Sequence, residues 1–121
     1  MTAPQKNTGL KRILKAFGYS VEGLTTAFKS EAAFRQELLL CAIALPLAFL
    51  LDVTTIERIL MIGSLFIILI AEIINTAFEC VIERISNDWH EASKKVKDLG
   101  SAAVLLALIN AALVWGMIIL N

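Results

Sequence analysis

Three long stretches of the chain are almost free of charge and long enough to cross a membrane as helices. Residues 38–51 contain no charged side chain, and extension back to residue 31 gives a helix of about 31 Å. Residues 55–85 contain the uncharged stretch 59–71, and residues 99–120 carry no charge over about 33 Å. Since a bilayer core is about 30 Å thick, we predict three membrane spans, over about 31–51, 55–85 and 99–120.

A fourth helical stretch precedes the first span and has a different pattern. Its uninterrupted apolar length is too short to span, and Lys11, Arg12 and Lys15 lie off its apolar stripe. We therefore predict an amphipathic helix over about 10–28 that lies in the membrane interface. A soluble helix packed on a core is the weaker interpretation, because the chain offers no soluble core. The stripe comprises Leu10, Ile13, Leu14, Phe17, Val21, Leu24 and Phe28.

Composition supports a membrane protein and limits its size. Hydrophobic residues make up 58% of the 121 residues, and the mean hydropathy of +0.75 exceeds that of ordinary soluble domains. A chain of this length forms one small domain, so we expect residues 1–121 to be a single unit. The predicted fold class is an all-α membrane protein with three transmembrane helices and an N-terminal interfacial helix.

The charges sum to zero but are segregated along the chain, which predicts the orientation. Six of the 11 Lys and Arg residues precede residue 36, and four lie within 84–97. Basic segments remain on the cytoplasmic side of a membrane. We therefore expect the N-terminus and the 84–98 segment to be cytoplasmic, and the acidic 52–58 loop and the C-terminus to be outside.

Polar side chains interrupt the second span on one face. In the stretch EIINTAFE at 72–79, Glu72, Asn75, Thr76 and Glu79 fall within about 60° of one direction, together with Glu83. A carboxylate in the bilayer costs roughly 2.5 to 3.5 kcal/mol on insertion scales. Such a cost indicates a face that meets protein, a cation or a ligand.

The predicted orientation places a second acidic group at the same depth. The first span begins on the cytoplasmic side, where the second one ends, so Glu31, Arg35 and Glu37 share the level of the 72–79 stretch. Glu72 then lies about 16 Å below Glu83.

Carboxylates at this level have two chemical uses and one structural use. Two carboxylates and an amide can hold Mg²⁺, and a desolvated carboxylate can act as a general base. Alternatively, the polar face only joins helices or subunits. The residues alone therefore predict a membrane-embedded acidic site near the cytoplasmic face, with a metal ion as the favoured ligand. They do not supply the reaction, and no GxxxxGK[ST] or GxGxxG loop is present.

Three blocks of the chain resemble the small bacterial integral-membrane diacylglycerol kinases. They are EAAFRQE at 31–37, EIINTAFE at 72–79 and KDLGSAAV at 97–104, and the resemblance extends from about residue 9 to the end. Phe78, Glu83 and Trp89 depart from the residues usual in that family. Trp89 lacks the hydroxyl of the more common Tyr, which places a nucleotide contact there in question.

The resemblance implies a homotrimer in the bacterial inner membrane, with active sites shared between subunits at the cytoplasmic interface. The implied reaction transfers the γ-phosphate of ATP to diacylglycerol with Mg²⁺ as cofactor, giving phosphatidic acid. The implied partners are ATP, diacylglycerol, membrane lipids and further copies of the chain, with no nucleic acid. The implied residues are Glu72 as general base with Asn75 beside it, Glu31 and Glu79 for the metal, Arg12, Tyr19, Asp88, Trp89, His90, Lys97 and Asp98 for the nucleotide, and Glu37, Arg35 and Ser101 for the lipid.

Three other functions remain open. A kinase for undecaprenol or another lipid alcohol would have the same apolar entry. A small proton-coupled transporter also uses a membrane-embedded Glu, but it normally needs four spans and a carboxylate reachable from both sides. A non-enzymatic assembly subunit would use the polar face only to join helices.

Overall fold

The computed structural model describes residues 8–121, and every regular element in that range is a helix. Residues 1–7 lie outside the described range, and with them the N-terminus that was predicted to be cytoplasmic. The helices are α1 (Gly9–Ser30), α2 (Ala32–Leu50), α3 (Thr55–Ile85) and α4 (Glu91–Ile119). The last three are long and apolar enough to cross a membrane. The predicted all-α architecture with three spans is confirmed, and α4 begins eight residues before the predicted third span.

Helix α1 lies largely outside the packed part of the molecule. Ala27, near its end, is its one buried residue. The apolar stripe of α1 is exposed, with Leu10 and Phe17 among its members. Because no other described helix covers this stripe, it is available to lipid, as an interfacial helix requires.

A single extended residue separates α1 from α2. Glu31 has φ −117° and ψ 110°, which ends α1 and starts α2. The Arg35 guanidinium then reaches back and donates to the carbonyl oxygens of Phe28 (2.7 Å) and Lys29 (3.2 Å) in the last turn of α1. These bonds satisfy carbonyls that a helix end leaves free, and they hold α1 at a fixed angle to the first span.

Helix α3 is the centre of the molecule, since α2 and α4 both pack on it and not directly on each other. Leu65 of α3 is buried with Cys41 and Ala44 of α2, and Ile68 of α3 is buried with small residues of α4. Those small residues are Ala107 and Ala111, two members of a four-residue alanine repeat in the third span. Small side chains allow membrane helices to approach closely.

A hydrogen-bonded cluster also joins α3 to α4 inside the bilayer. The Trp115 indole Nε1 donates to Met61 O (3.2 Å) and to Ser64 Oγ (3.1 Å), and Ser64 Oγ donates to Met61 O (2.7 Å). Since the hydrocarbon offers no water as an alternative partner, these bonds favour one register between the two helices.

The α2–α3 connection is closed by an arginine and a capping box. Arg58 Nε donates to Ala48 O (2.7 Å), and its Nη2 donates to Leu51 O (3.0 Å) and Val53 O (3.4 Å). Thr54 accepts from the Glu57 amide, while the Glu57 carboxylate accepts from the Thr54 amide. The planar guanidinium of arginine can donate to three separate carbonyls at once, which the compact ammonium of lysine cannot do as well.

We predict that Arg58→Ala lowers the free energy of unfolding by about 2 kcal/mol, because the helix-end carbonyls lose a charged donor. Unfolding by denaturant in detergent micelles measures this change. The matched control is Arg84→Ala, since Arg84 lies exposed on the same helix and makes no hydrogen bond to the described residues. Equal losses in the two variants would contradict this role for Arg58.

Candidate active site

The polar face of α3 is turned into the protein. Glu72 is 4% exposed, Asn75 8% and Thr76 7%, while Glu79 is half-buried. The same helix carries no charge from residue 59 to residue 71, so the charged side chains of this face begin at Glu72 and continue toward Ile85. The polar face predicted from helical periodicity therefore meets protein rather than lipid.

Two further carboxylates come to this face from the start of α2. Glu31 and Glu79 lie close enough to Glu72 for their charges to repel its carboxylate, and Glu37 lies within hydrogen-bonding reach of it. We call Glu31, Glu37, Glu72 and Glu79 the acidic cluster. Within residues 8–121 none of the four forms an ion pair. Their mutual repulsion therefore requires a proton or a cation from outside the chain.

Unpartnered oxygen atoms gather at the same place. Among the described residues, the buried side-chain atoms without a hydrogen-bond partner are Glu37 Oε2, Asn75 Oδ1 and Thr76 Oγ1. Each buried polar atom of this kind needs a partner. The periodicity placed Thr76 on the polar face, but only the packing of the helices reveals that its hydroxyl has no acceptor.

The oxygen donors of this site fit a hard divalent cation. Mg²⁺ takes oxygen ligands and is usually bound through one or two carboxylates plus substrate phosphates. No three acidic, His or Cys side chains within residues 8–121 enclose a metal ion by themselves. The acidic cluster is therefore suited to a cation that arrives with part of its ligand set, as Mg²⁺ on a nucleotide does.

Asn75 connects the acidic cluster to α4. Its Nδ2 donates to Glu79 Oε1 at 3.3 Å, and its amide lies directly against Gly100. Gly100 was not among the predicted site residues. The available signal was a glycine inside the third span, in the KDLGSAAV block.

A polar pocket of about 440 Å³ lies between the end of α3 and the start of α4, and Glu83 in its lining is one helical turn beyond Glu79. It gathers five of the seven residues predicted to bind nucleotide. His90 caps α4 by accepting from the Ala92 amide (3.0 Å), and Lys94 pairs with Asp98 (2.7 Å). The lining residues are Ile82, Glu83, Ser86, Asn87, Asp88, Trp89, His90, Ser93, Lys94, Lys97 and Asp98.

Four of the predicted nucleotide-binding and lipid-binding residues lie outside the polar pocket of the single chain. Arg12 and Tyr19 are exposed on α1 and do not line the polar pocket. Arg35 is engaged with the carbonyls that end α1. Ser101 is exposed on α4, one residue beyond the Asn75 contact. Trp89 lines the polar pocket but is 78% exposed.

An apolar groove of about 520 Å³ runs between α3 and α4 and reaches Asn75. Its walls are aliphatic and aromatic, apart from that amide. They comprise Ile67, Ile70, Ala71, Ile74, Asn75, Phe78, Val96, Leu99, Gly100 and Ala103. The site thus has a polar side toward the α3–α4 connection and an apolar side toward the bilayer.

Comparison with known proteins identifies the family of the chain. The family model for prokaryotic diacylglycerol kinase matches residues 18–119. The chain is 49% identical over 108 residues to the diacylglycerol kinase of Escherichia coli, covering 89% of this chain and 88% of that protein. It is 50% identical over 114 residues to that of Pseudomonas aeruginosa, covering 94% and 93%. The Haemophilus influenzae diacylglycerol kinase is 46% identical over 114 residues, covering 94% and 97%. Because these matches span nearly the whole chain, it belongs to the prokaryotic diacylglycerol kinase family.

Proposed function

We propose that this protein transfers the γ-phosphate of ATP to the hydroxyl group of diacylglycerol, giving phosphatidic acid, with Glu72 as the general base. Membership of the family supports phosphorylation of diacylglycerol as its activity. The observation that carries the mechanism is the acidic cluster, in which the buried Glu72 and the half-buried Glu79 of α3 meet half-buried carboxylates from the start of α2.

Glu72 is suited to take the proton of the lipid hydroxyl. It is 4% exposed, so water competes poorly for its carboxylate. As the lipid oxygen bonds to the γ-phosphorus, its proton moves to a Glu72 carboxylate oxygen. The bond from that phosphorus to the β,γ-bridging oxygen breaks, and ADP leaves. A positioned general base contributes roughly 10² to 10⁴ in rate.

Glu31 and Glu79 would hold Mg²⁺ on the nucleotide. When bound, Mg²⁺ neutralises charge on the phosphates, which is the main requirement of phosphoryl transfer. Asn75 supports this arrangement by donating to Glu79 from one helical turn away. Both carboxylates are half-buried, which leaves them open to a nucleotide that arrives from the polar pocket.

The nucleotide would enter the polar pocket, where Lys97 supplies a cation for the phosphates. Asp88, Trp89, His90 and Asp98 line the same pocket. Arg12 and Tyr19 of α1 complete the proposed nucleotide contacts. Neither residue lines the pocket within one chain. They would therefore reach the nucleotide either after a movement of α1 or from the α1 helix of a neighbouring subunit.

The lipid would approach from the bilayer, on the opposite side of Glu72 from the nucleotide. Glu37 lies beside Glu72 and would help to orient the lipid hydroxyl. Arg35 and Ser101 are the other proposed lipid contacts, and both are exposed. A meeting of the substrates at Glu72 explains why a carboxylate lies so deep in an apolar helix.

We further propose a homotrimer with shared active sites in the bacterial inner membrane. The basic 84–98 segment and the N-terminus would be cytoplasmic, and the 52–58 loop and the C-terminus periplasmic. The separation of Arg12 and Tyr19 from the polar pocket supports completion of each site by a second copy.

We predict that Glu72→Gln lowers the turnover of diacylglycerol at least 10²-fold, because the amide cannot accept the lipid proton. Transfer of radiolabel from γ-labelled ATP to lipid in bilayers measures this loss. Glu57→Gln is the matched control, since it lies at the other end of α3 and glutamine preserves a capping box. Normal turnover in Glu72→Gln would refute Glu72 as the base. Faster turnover of undecaprenol than of diacylglycerol by the unaltered protein would contradict the proposed substrate.

For the polar pocket, we predict that Lys97→Ala raises the KM for ATP about tenfold, as loss of one phosphate contact worth about 1.4 kcal/mol would do. Steady-state kinetics over a range of ATP concentrations provide the measurement. Lys95→Ala is the control, because Lys95 is exposed on the same helix and does not line the pocket. Equal KM values for the two variants would exclude a phosphate contact at Lys97.

A further inference from the structure

Helix α4 meets α3 at one point where a side chain does not fit. Gly100 is buried, and a Cβ built on it would overlap Asn75 Oδ1 and lie 2.9 Å from Asn75 Cγ. All six glycines of the chain lie in the described range, and at the other five a Cβ would meet nothing within 4 Å. The steric requirement for glycine is therefore specific to position 100, whereas position 9 favours glycine through its backbone φ of +65°.

The obstacle at this position is the Asn75 side chain and not the α3 backbone. The three atoms nearest to a Cβ on Gly100 are Oδ1, Cγ and Cβ of Asn75. Ala107 and Ala111 of α4 are also buried against α3, and both carry a Cβ. The spacing of the two helices thus admits alanine along the interface, and the Asn75 amide alone excludes it at position 100.

The Asn75 amide contacts the Glu79 carboxylate on the next turn of α3. It is 8% exposed, and its Nδ2 donates to Glu79 Oε1 at 3.3 Å. Its Oδ1 has no donor among the described residues and lies over Gly100. A bulkier residue at 100 would rotate the amide out of this space and break its bond to Glu79.

We propose that Gly100 is a positioning residue for the cation site. The space it leaves holds the Asn75 amide against Glu79 and so orients the Glu79 carboxylate toward a divalent cation. This inference rests on the proposed function, in which Glu79 holds Mg²⁺. Partners that orient a metal-binding carboxylate change metal affinity by roughly 10- to 100-fold when they are removed.

The test compares Gly100→Ala with Gly116→Ala, which adds the same methyl group to the same helix in open space. The first readout is the NMR signal of the Asn75 side-chain amide, identified by its loss in Asn75→Ala. The second is Mn²⁺ binding to the full-length protein in detergent micelles with a non-hydrolysable ATP analogue present, followed by electron paramagnetic resonance. We expect Gly100→Ala to shift the amide signal and to weaken Mn²⁺ binding at least tenfold. Gly116→Ala should change neither.

A double variant keeps the proposal testable if Gly100→Ala folds poorly. In the Asn75→Ala background the space above residue 100 is vacant, so Gly100→Ala should cost no stability there. An equal loss of stability in both backgrounds would overturn the proposal, because the glycine would then serve α3–α4 packing independently of the amide.

Different results would contradict the role of Gly100 and the role of Glu79. An amide signal that Gly100→Ala does not move, or Mn²⁺ binding that it leaves intact, overturns the positioning role. Mn²⁺ binding that is unchanged in Glu79→Gln contradicts the metal assignment of the proposed function, whatever the Asn75 signal does.

Discussion

The structure depends on one constraint, which is that the hydrocarbon core provides no water for polar groups. Helix α3 meets this constraint in two ways along its length. In its first half, the Ser64 hydroxyl accepts from the Trp115 indole across the α3–α4 interface and donates to the Met61 carbonyl oxygen. Toward Ile85, the buried oxygens of Asn75 and Thr76 remain unpartnered within the described chain, as does that of Glu37 on α2. Among residues 8–121, the buried side-chain polar atoms therefore have partners except around the acidic cluster, which is where the proposed substrates would supply them.

Two arginines stabilise helix ends, one on each side of the first span. Arg58 closes the α2–α3 connection by donating to three carbonyls, and Arg35 donates to two carbonyls at the end of α1. The second of these lies four residues from Glu31, the extended residue at which the chain turns from the interface into the membrane. The angle of that turn determines how Glu31 faces the carboxylates of α3. Arg35 consequently has a structural reason to matter for catalysis, besides the proposed lipid contact.

Much of this arrangement was predictable from the sequence, because it depends on properties that are local in the chain. Uncharged stretches define the spans, and helical phase places Glu72, Asn75 and Glu79 on one face. Charge segregation brings Glu31 and Glu37 to the same depth. Contacts between helices distant in sequence were not predictable, including the closure of Arg58 on Ala48 and the fit of Gly100 against the Asn75 amide. The reaction itself came from family resemblance, since periodicity can locate carboxylates but cannot specify a phosphoryl acceptor.

The central claim is that a nucleotide-bound cation sits at the acidic cluster on the polar face of α3. Paramagnetic broadening by Mn²⁺, added with a non-hydrolysable ATP analogue, tests this claim through the side-chain NMR signals of two asparagines. Asn75 lies at the cluster, whereas Asn110 lies ten residues beyond Gly100 on α4, about 15 Å further along the helix. The account predicts strong broadening of the Asn75 signal and little of the Asn110 signal. Equal broadening of both, or none at Asn75 when the analogue is bound, would contradict it.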